Sequence, residues 1–338
     1  MKRLKLGNKL IFLLNSFAAF LLLLSYILPY IPPKSFGFLS VLSLGVPLLI
    51  LINLLFFIYW LLSVKKQLIL SLVVLIIGFQ YLNAMYKFTA SKKVADEDNF
   101  SIMSYNVRMF NLYKWLPNEN IEDDIISFIE FEKPDVLSLQ EYPRSERIKL
   151  EGYEQFNGTY VKSARGGQAI YSRFPIINSG SLEFPNTSNN AIFVDILKRK
   201  DTIRVYNVHL QSARINPEVE ALKKESSENL FKRVSSTFKA QQEQTEMLLE
   251  HKSKCPYKVI ITGDFNNTAY SYVYKEIRAD FKDAFESAGN GFGRTYDFKF
   301  FPVRIDFILT DRAFTVNGYK TYDVKLSDHF PIKATLKL

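Results

Sequence analysis

Residues 327–331 read SDHFP and set a carboxylate beside an imidazole at the mouth of a short final strand, PIKATLKL. On its own, Asp-His at a strand entrance is an ordinary turn whose carboxylate caps backbone N–H groups. Its meaning comes from the runs that precede it, many of them rich in Val, Ile, Phe and Tyr. Asp306 sits in RIDF, Asp264 and Asn266 close VIITGDFN, His209 closes RVYNVH, Glu141 closes DVLSLQE and Asn106 closes FSIMSYN. A single polar residue at a strand end means little, because every strand has to emerge into water. Several carboxylates, two carboxamides and two imidazoles at successive strand ends indicate one shared cleft.

Further strand-like runs are GQAIYS, NAIFVDIL and TVNGYKTYDV, and a hairpin at KRKD joins two of the longer ones. Helical patterns intervene at about Asn120–Glu132 and across Pro217–Lys252. In the first, Ile121, Ile125, Ile126, Phe128 and Ile129 give one apolar face, and Pro134 ends it. The charge-rich part of the second, around Lys223–Glu228, reads as a solvated face or loop. Interleaved strands and helices point to a mixed-sheet α/β domain with helices covering the sheet faces.

In the order SYNV, LSLQE, GGQAIYSRFPI, YNVHL, ITGDFN, RIDFIL and SDHFPI, residues 98–338 resemble the endonuclease/exonuclease/phosphatase superfamily, DNase I-like, with a sphingomyelinase-like branch among its members. The resemblance implies a four-layered α/β/β/α sandwich with the active site at one edge of the paired sheets. It also implies a metal-dependent phosphoester hydrolase. A phosphodiester is anionic and slow to hydrolyse, so charge must be neutralised, a water positioned and the leaving oxygen assisted. Mg²⁺, or Mn²⁺ in its place, suits oxygen donors. By resemblance Glu141 is the principal metal ligand, with Asn106 beside it and Asp328 on the metal side. Asp264 orients or deprotonates the attacking water, and Asn266 supports the phosphate. His329 faces the scissile phosphate, oriented by Asp306. His209 matches a second histidine with a general-acid or phosphate-stabilising role, although Gln168 stands where some relatives supply its acidic partner. His251, with no partner motif, is expected on the surface.

The N-terminal region lies outside this resemblance. Residues 1–95 hold ten basic and no acidic residues, so the net charge of +9 belongs to them and residues 96–338 carry about −1. That balance gives no bulk signal for a nucleic-acid-binding surface. Leu10–Leu28, Phe38–Leu62 and Leu68–Met85 are uncharged apart from their flanks and long enough to cross a hydrocarbon layer of about 30 Å, reading as three transmembrane helices. Four Lys or Arg precede the first span and Lys65-Lys66 separate the second from the third, against Lys34 alone in the intervening loop. This places the N-terminus in the cytoplasm and the catalytic domain outside it. Lys87, Lys92 and Lys93 oppose that orientation. Cys255 is the only cysteine, so no internal disulfide reports on the compartment.

The expected organisation is a membrane region over 1–90, a linker over 91–99 and a catalytic domain over 100–338. Candidate substrates are nucleic acid, a phospholipid headgroup and a small phosphoester. The rival from another class is a noncatalytic, membrane-anchored binding module on the same scaffold.

Overall fold

The computed structural model describes residues 5–88, 94–143, 148, 150–158, 166–214, 226–298 and 301–338. The chain begins with helices α1 (Leu6–Ser25), α2 (Pro33–Val41), α3 (Val46–Leu62), α4 (Leu68–Ile77) and α5 (Phe79–Met85), followed by the two-residue strand β1 (Tyr86–Lys87). Leu6–Tyr30 and Pro33–Leu62 are long and apolar enough to cross a membrane. The third expected span is broken, because α4 and α5 meet at Gly78 with a bend of 75°. Gly78 is needed there, since a Cβ would fall 1.9 Å from the Tyr26 hydroxyl. Polar groups stitch the bundle from inside. Asn15 donates to Ser71 Oγ at 2.6 Å and accepts from Trp60 Nε1 at 2.9 Å, tying α1, α4 and α3 together.

Two six-stranded sheets follow. One runs β13 (Thr315–Thr321), β14 (Ile332–Lys337), β2 (Phe100–Asn106), β3 (Val136–Tyr142), β5 (Gly167–Ser172), β4 (Glu154–Asn157). The other runs β10 (Lys282–Asp283), β12 (Asp306–Thr310), β9 (Lys258–Asp264), β8 (Asp201–His209), β7 (Asn190–Lys198), β6 (Ile176–Ser181). Between the sheets lie Ile102, Val136, Ile170, Val194, Val205, Ile260, Ile308 and Ile332, all buried. The alternate residues face outward, as the two-residue period of a strand requires. Met103, Tyr105, Leu137 and Leu139 pack under α6 (Ile121–Glu132). Val208, Ile261, Phe307 and Leu309 pack with Leu248 of α7 (Ser227–Ser253) and with Val273 and Ile277 of α8 (Tyr272–Arg278). The domain is thus a mixed-sheet α/β/β/α sandwich, as expected. The KRKD hairpin pairs Lys198 with Asp201.

Residues 94–99, part of the expected linker, lie against the sandwich: Val94 donates to Asn317 O at 3.3 Å and Asp96 pairs with Lys337 at 2.5 Å. Residues 91–93 of that linker lie outside the described residues, as does the 217–225 part of the second helical pattern. His251 is not a bare surface residue. Its Nδ1 lies 2.8 Å from the Tyr206 hydroxyl, and its ring packs against Phe193 with centroids 4.8 Å apart.

The helical region is docked onto the domain. Lys34 of α2 bonds Gln242 Oε1 through its backbone N–H at 2.8 Å and pairs with Glu246 at 2.5 Å, both on α7. The Tyr270 hydroxyl donates to Tyr81 O at 3.2 Å, and Arg304 Nη2 donates to Ala84 O at 3.3 Å. β1 pairs with β11 (Gly291–Phe292).

Candidate active site

Strand parity gathers the site. Residues 106, 207, 209, 264 and 306 continue the inward-facing rows of their strands past the apolar core, toward one end of the sandwich. Register aligns them sideways, Asp306 opposite Asp264 across β12 and β9, and His209 opposite Asp264 across β8 and β9. Glu141 breaks the parity. Its odd position would send it outward with Leu137 and Leu139, but the ladder slips between Gln140 and Tyr142 and Glu141 takes φ +47°. Such a bulge re-aims a side chain, and a non-glycine residue with positive φ persists only where its surroundings hold it. Here it brings the carboxylate 3.4 Å from Asn106 Nδ2.

Asn106 Nδ2 also donates to Asp264 Oδ2 at 3.0 Å, so one amide bridges half-buried Glu141 and buried Asp264. Asp264 Oδ1 accepts from the Asn266 backbone N–H at 2.7 Å. The Asn266 side-chain amide donates to Leu210 O at 3.0 Å and Asp264 Oδ2 at 3.2 Å. His329 Nδ1 lies 2.9 Å from Asp306 Oδ2, and its Nε2 lies 3.7 Å from Asp264 Oδ2. His209 Nε2 lies 3.7 Å from Asp264 Oδ2 and 3.8 Å from Glu141 Oε1 and makes no hydrogen bond. Gln168 does not take up the role of acidic partner to His209; its amide bonds Asn207 O at 2.9 Å.

Electrostatics follow from burial. Desolvation raises the Glu141 carboxyl above its usual range, and Asp328 adds to this while His329, Asn106 and Arg108 oppose it. Desolvation likewise raises Asp264, to about 8, against the pull of His329 and with the push of Asp306. Burial by itself would lower His329, but Asp306 and Asp264 outweigh it and hold the ring well above its ordinary value. Burial and then the neighbouring His329 push His209 down to about 3, so its imidazole is neutral.

These observations test the fit of a divalent cation. Two carboxylates, half-buried Glu141 and buried Asp264, share one carboxamide, and among the described residues their only basic partners within 4 Å are histidines. His209 is neutral, which leaves their charge poorly met. The oxygen donors of Glu141, Asn106 and Asp264 suit Mg²⁺, and Asp264, Asp306 and His329 also present ligand atoms within 4.8 Å of one another. Asp328 stands at the rim, already engaged: its Oδ2 is 2.6 Å from Arg108 Nη1 and its Oδ1 accepts from Ser327 Oγ at 3.3 Å.

The sequence reading missed four residues near the site. Arg108 starts a run of four non-glycine residues, Arg108–Asn111, all with φ between +42° and +60°, and its guanidinium lies 3.9 Å over the Trp115 ring. Only the run of left-handed backbone aims it at Asp328, and RMFN carries no local signal for that. Tyr296 packs on the His329 ring with centroids 5.0 Å apart. Asn207 lies beneath His209, accepts from Gln140 Nε2 at 2.6 Å and donates to Leu139 O at 2.8 Å and Ala169 O at 3.0 Å, joining the two sheets under the site. Its spacing two before His209 was the available signal for Asn207. Gly263 has φ +132°, and a Cβ there would meet Val208 O at 1.9 Å, which explains the glycine of GDFN.

Solved structures share this fold at low identity. A humanized D. rerio TDP2 matches with TM-score 0.56 and 19% identity, over 72% of this chain and 100% of that one. An endonuclease/exonuclease/phosphatase from Bacteroides vulgatus gives 0.55 and 20%, over 71% and 99%. A Bacteroides thetaiotaomicron mannosyl-6-phosphatase gives 0.54 and 21%, over 71% and 100%. No curated protein matches the chain. A family described as "Domain of unknown function (DUF8431)" matches residues 8–85. Residues 103–329, well over half of the chain, match the Endonuclease/Exonuclease/phosphatase family, and they contain every residue of the cluster just described: the chain belongs to that family.

Proposed function

We propose that the protein is a membrane-anchored, divalent-metal-dependent phosphoester hydrolase. The observation that carries this reading is the meeting of Asn106, Glu141, His209, Asp264, Asp306 and His329, from five strands and a loop, within hydrogen-bond or near-contact range in one buried pocket. A noncatalytic module would gain nothing from burying carboxylates that repel one another.

Glu141 and Asn106 would hold Mg²⁺ or Mn²⁺, with Asp264 alongside and Asp328 in reserve at the rim. A bound cation would neutralise charge developing on the phosphoryl oxygens. Asp264, fixed by Asn106 and Asn266, orients a water and takes its proton as the water oxygen bonds to phosphorus. His329, aligned by Asp306, faces the phosphoryl group. Neutral His209 presents Nε2 as a donor toward a phosphoryl oxygen. The ester P–O bond breaks, and its oxygen leaves with the Nε2 proton of the His329 imidazolium, which the surrounding carboxylates keep charged. Asn266, its amide committed to Leu210 and Asp264, acts by holding Asp264.

The helices anchor the domain through three crossings, the third bent at Gly78. An odd number sets the loop after the first span on the same side as the domain, and the α2–α7 docking through Lys34 supports this. With the N-terminus cytoplasmic, the domain stands outside the cytoplasm. Protease treatment of intact cells tests the orientation; full protection would reverse it. Assay of the full chain against plasmid DNA, RNA, sphingomyelin vesicles and a bis-aryl phosphodiester, with Mg²⁺ and with chelator, tests the activity. The reading requires metal-dependent turnover of at least one of them.

A further inference from the structure

The catalytic cluster opens into a chamber whose far wall belongs to the helical region. A single cavity of about 470 Å³ is lined by Glu141, Asn266 and His329. It is also lined by Leu44, in the 3-10 turn Leu42–Gly45 that leads into α3, by Pro47 of α3, and by Ala84 and Met85, at the end of α5. We propose that this chamber holds the hydrocarbon part of a membrane-borne phosphoester, so that the substrate is a lipid whose phosphate reaches His329 while its chain lies along Leu44, Pro47, Ala84 and Met85. The inference deepens the hydrolase reading and rests on it.

Three observations carry it. The first is polarity: Arg108 and Arg304 meet Asp328 and Asp283, each at 2.6 Å, and Arg214 is the remaining arginine that lines the same cavity as the cluster among the described residues. Val303 and Ile305 continue the apolar wall on the domain side. The second is that the wall is fixed. Ala84 O accepts from Arg304, Tyr81 O from Tyr270, and the Tyr26, Tyr81 and Tyr270 rings stack in sequence with centroids 4.8 Å and 6.0 Å apart. A tether that only kept the domain near a surface would not contribute part of its cleft wall. The third is volume. Protein interiors close apolar voids far smaller than this one, so a chamber with such walls is shaped for an occupant. A polynucleotide would ask instead for an electropositive track and for stacking platforms along it.

The test uses the full chain in mixed micelles and two chromogenic diesters, methyl and hexadecyl 4-nitrophenyl phosphate, identical at phosphorus. We expect the hexadecyl ester to be favoured in kcat/KM by about tenfold or more, as burial of several methylenes implies. Leu44→Asp and Met85→Trp should each erase most of that preference. Equal rates for the two esters, or a preference the variants leave intact because it reflects micelle partition, would overturn the lipid inference and spare the hydrolase reading. Binding of hexadecyl and methyl methylphosphonate, measured by calorimetry, gives a readout independent of turnover. Chain-dependent binding lost in Leu44→Asp, with no hydrolysis of either ester, would uphold the chamber and defeat the hydrolase reading; chain-independent binding would defeat the chamber.

Discussion

His329 turns its two ring nitrogens toward different carboxylates, Nδ1 to Asp306 at 2.9 Å and Nε2 to Asp264 at 3.7 Å. Asp306 thereby fixes the ring while Asp264 shares the reacting side. Asp306→Asn keeps the volume but removes the charge that orients and holds the imidazolium. We expect kcat to fall about 10- to 100-fold, the usual cost of losing such an orienting partner, with circular dichroism unchanged. A variant with undiminished kcat would remove Asp306 from this role.

Gly263 lets β9 run close against β8 just before Asp264. A Cβ at φ +132° would strike Val208 O, a backbone atom that cannot move without parting β8 from β9. Gly263→Ala should cost at least about 2–4 kcal/mol and yield little folded protein. Urea unfolding of the full chain in detergent checks this, and a wild-type midpoint would refute the steric argument.

His251 gives the account a pH dependence away from the cluster. Burial first, then Arg204 and Lys254, lower its folded pKa, with Asp195 opposing. A base with a lowered folded pKa is protonated more readily in the unfolded chain. Its neutral form therefore contributes stability that is complete above about pH 6.5 and lost as pH falls through that value toward the folded pKa. Melting temperatures with Mg²⁺ present should fall from roughly pH 7 to pH 5, and fall less steeply in His251→Gln. Parallel curves would show that His251 is not a source of the slope.

Arg304 is buried against Asp283 at 2.6 Å and reaches Ala84 O of the helical region. Arg304→Met leaves Asp283 buried without its cation, a loss of about 3–5 kcal/mol. It should also loosen the wall of the chamber, seen as faster proteolysis near residue 88. A variant as stable as the wild type would mean that Tyr274 and the backbone satisfy Asp283 unaided.

Much of the site was legible because alternation and strand ends are local properties. FSIMSYN, RVYNVH and VIITGD each carry an inward row that ends in a polar residue, and the structure continues those rows into one pocket. Strands such as EQFN and IINSGS escaped notice because they are polar and lie at sheet edges. Glu141 was identified by its motif alone, since the bulge that turns it inward is set by pairing with β5. Arg108 needed four successive left-handed residues that no local pattern announces. His251 was misread because its partner, Tyr206, lies forty-five residues away on a strand. The break at Gly78 answers to Tyr26, and the docking of α2 on α7 joins segments some two hundred residues apart, so neither can be read along the chain.

The central claim is that Glu141 and His329 act in one metal-dependent phosphoester-cleaving centre. Its most direct measurement is the rate of bis(4-nitrophenyl) phosphate hydrolysis by the purified full chain with Mg²⁺, compared with chelator-treated protein, Glu141→Gln and His329→Ala. The account predicts turnover by the wild type, its loss on chelation and recovery on adding Mg²⁺, and a fall of about a hundredfold or more in each folded variant. Equal rates in all four samples would contradict it.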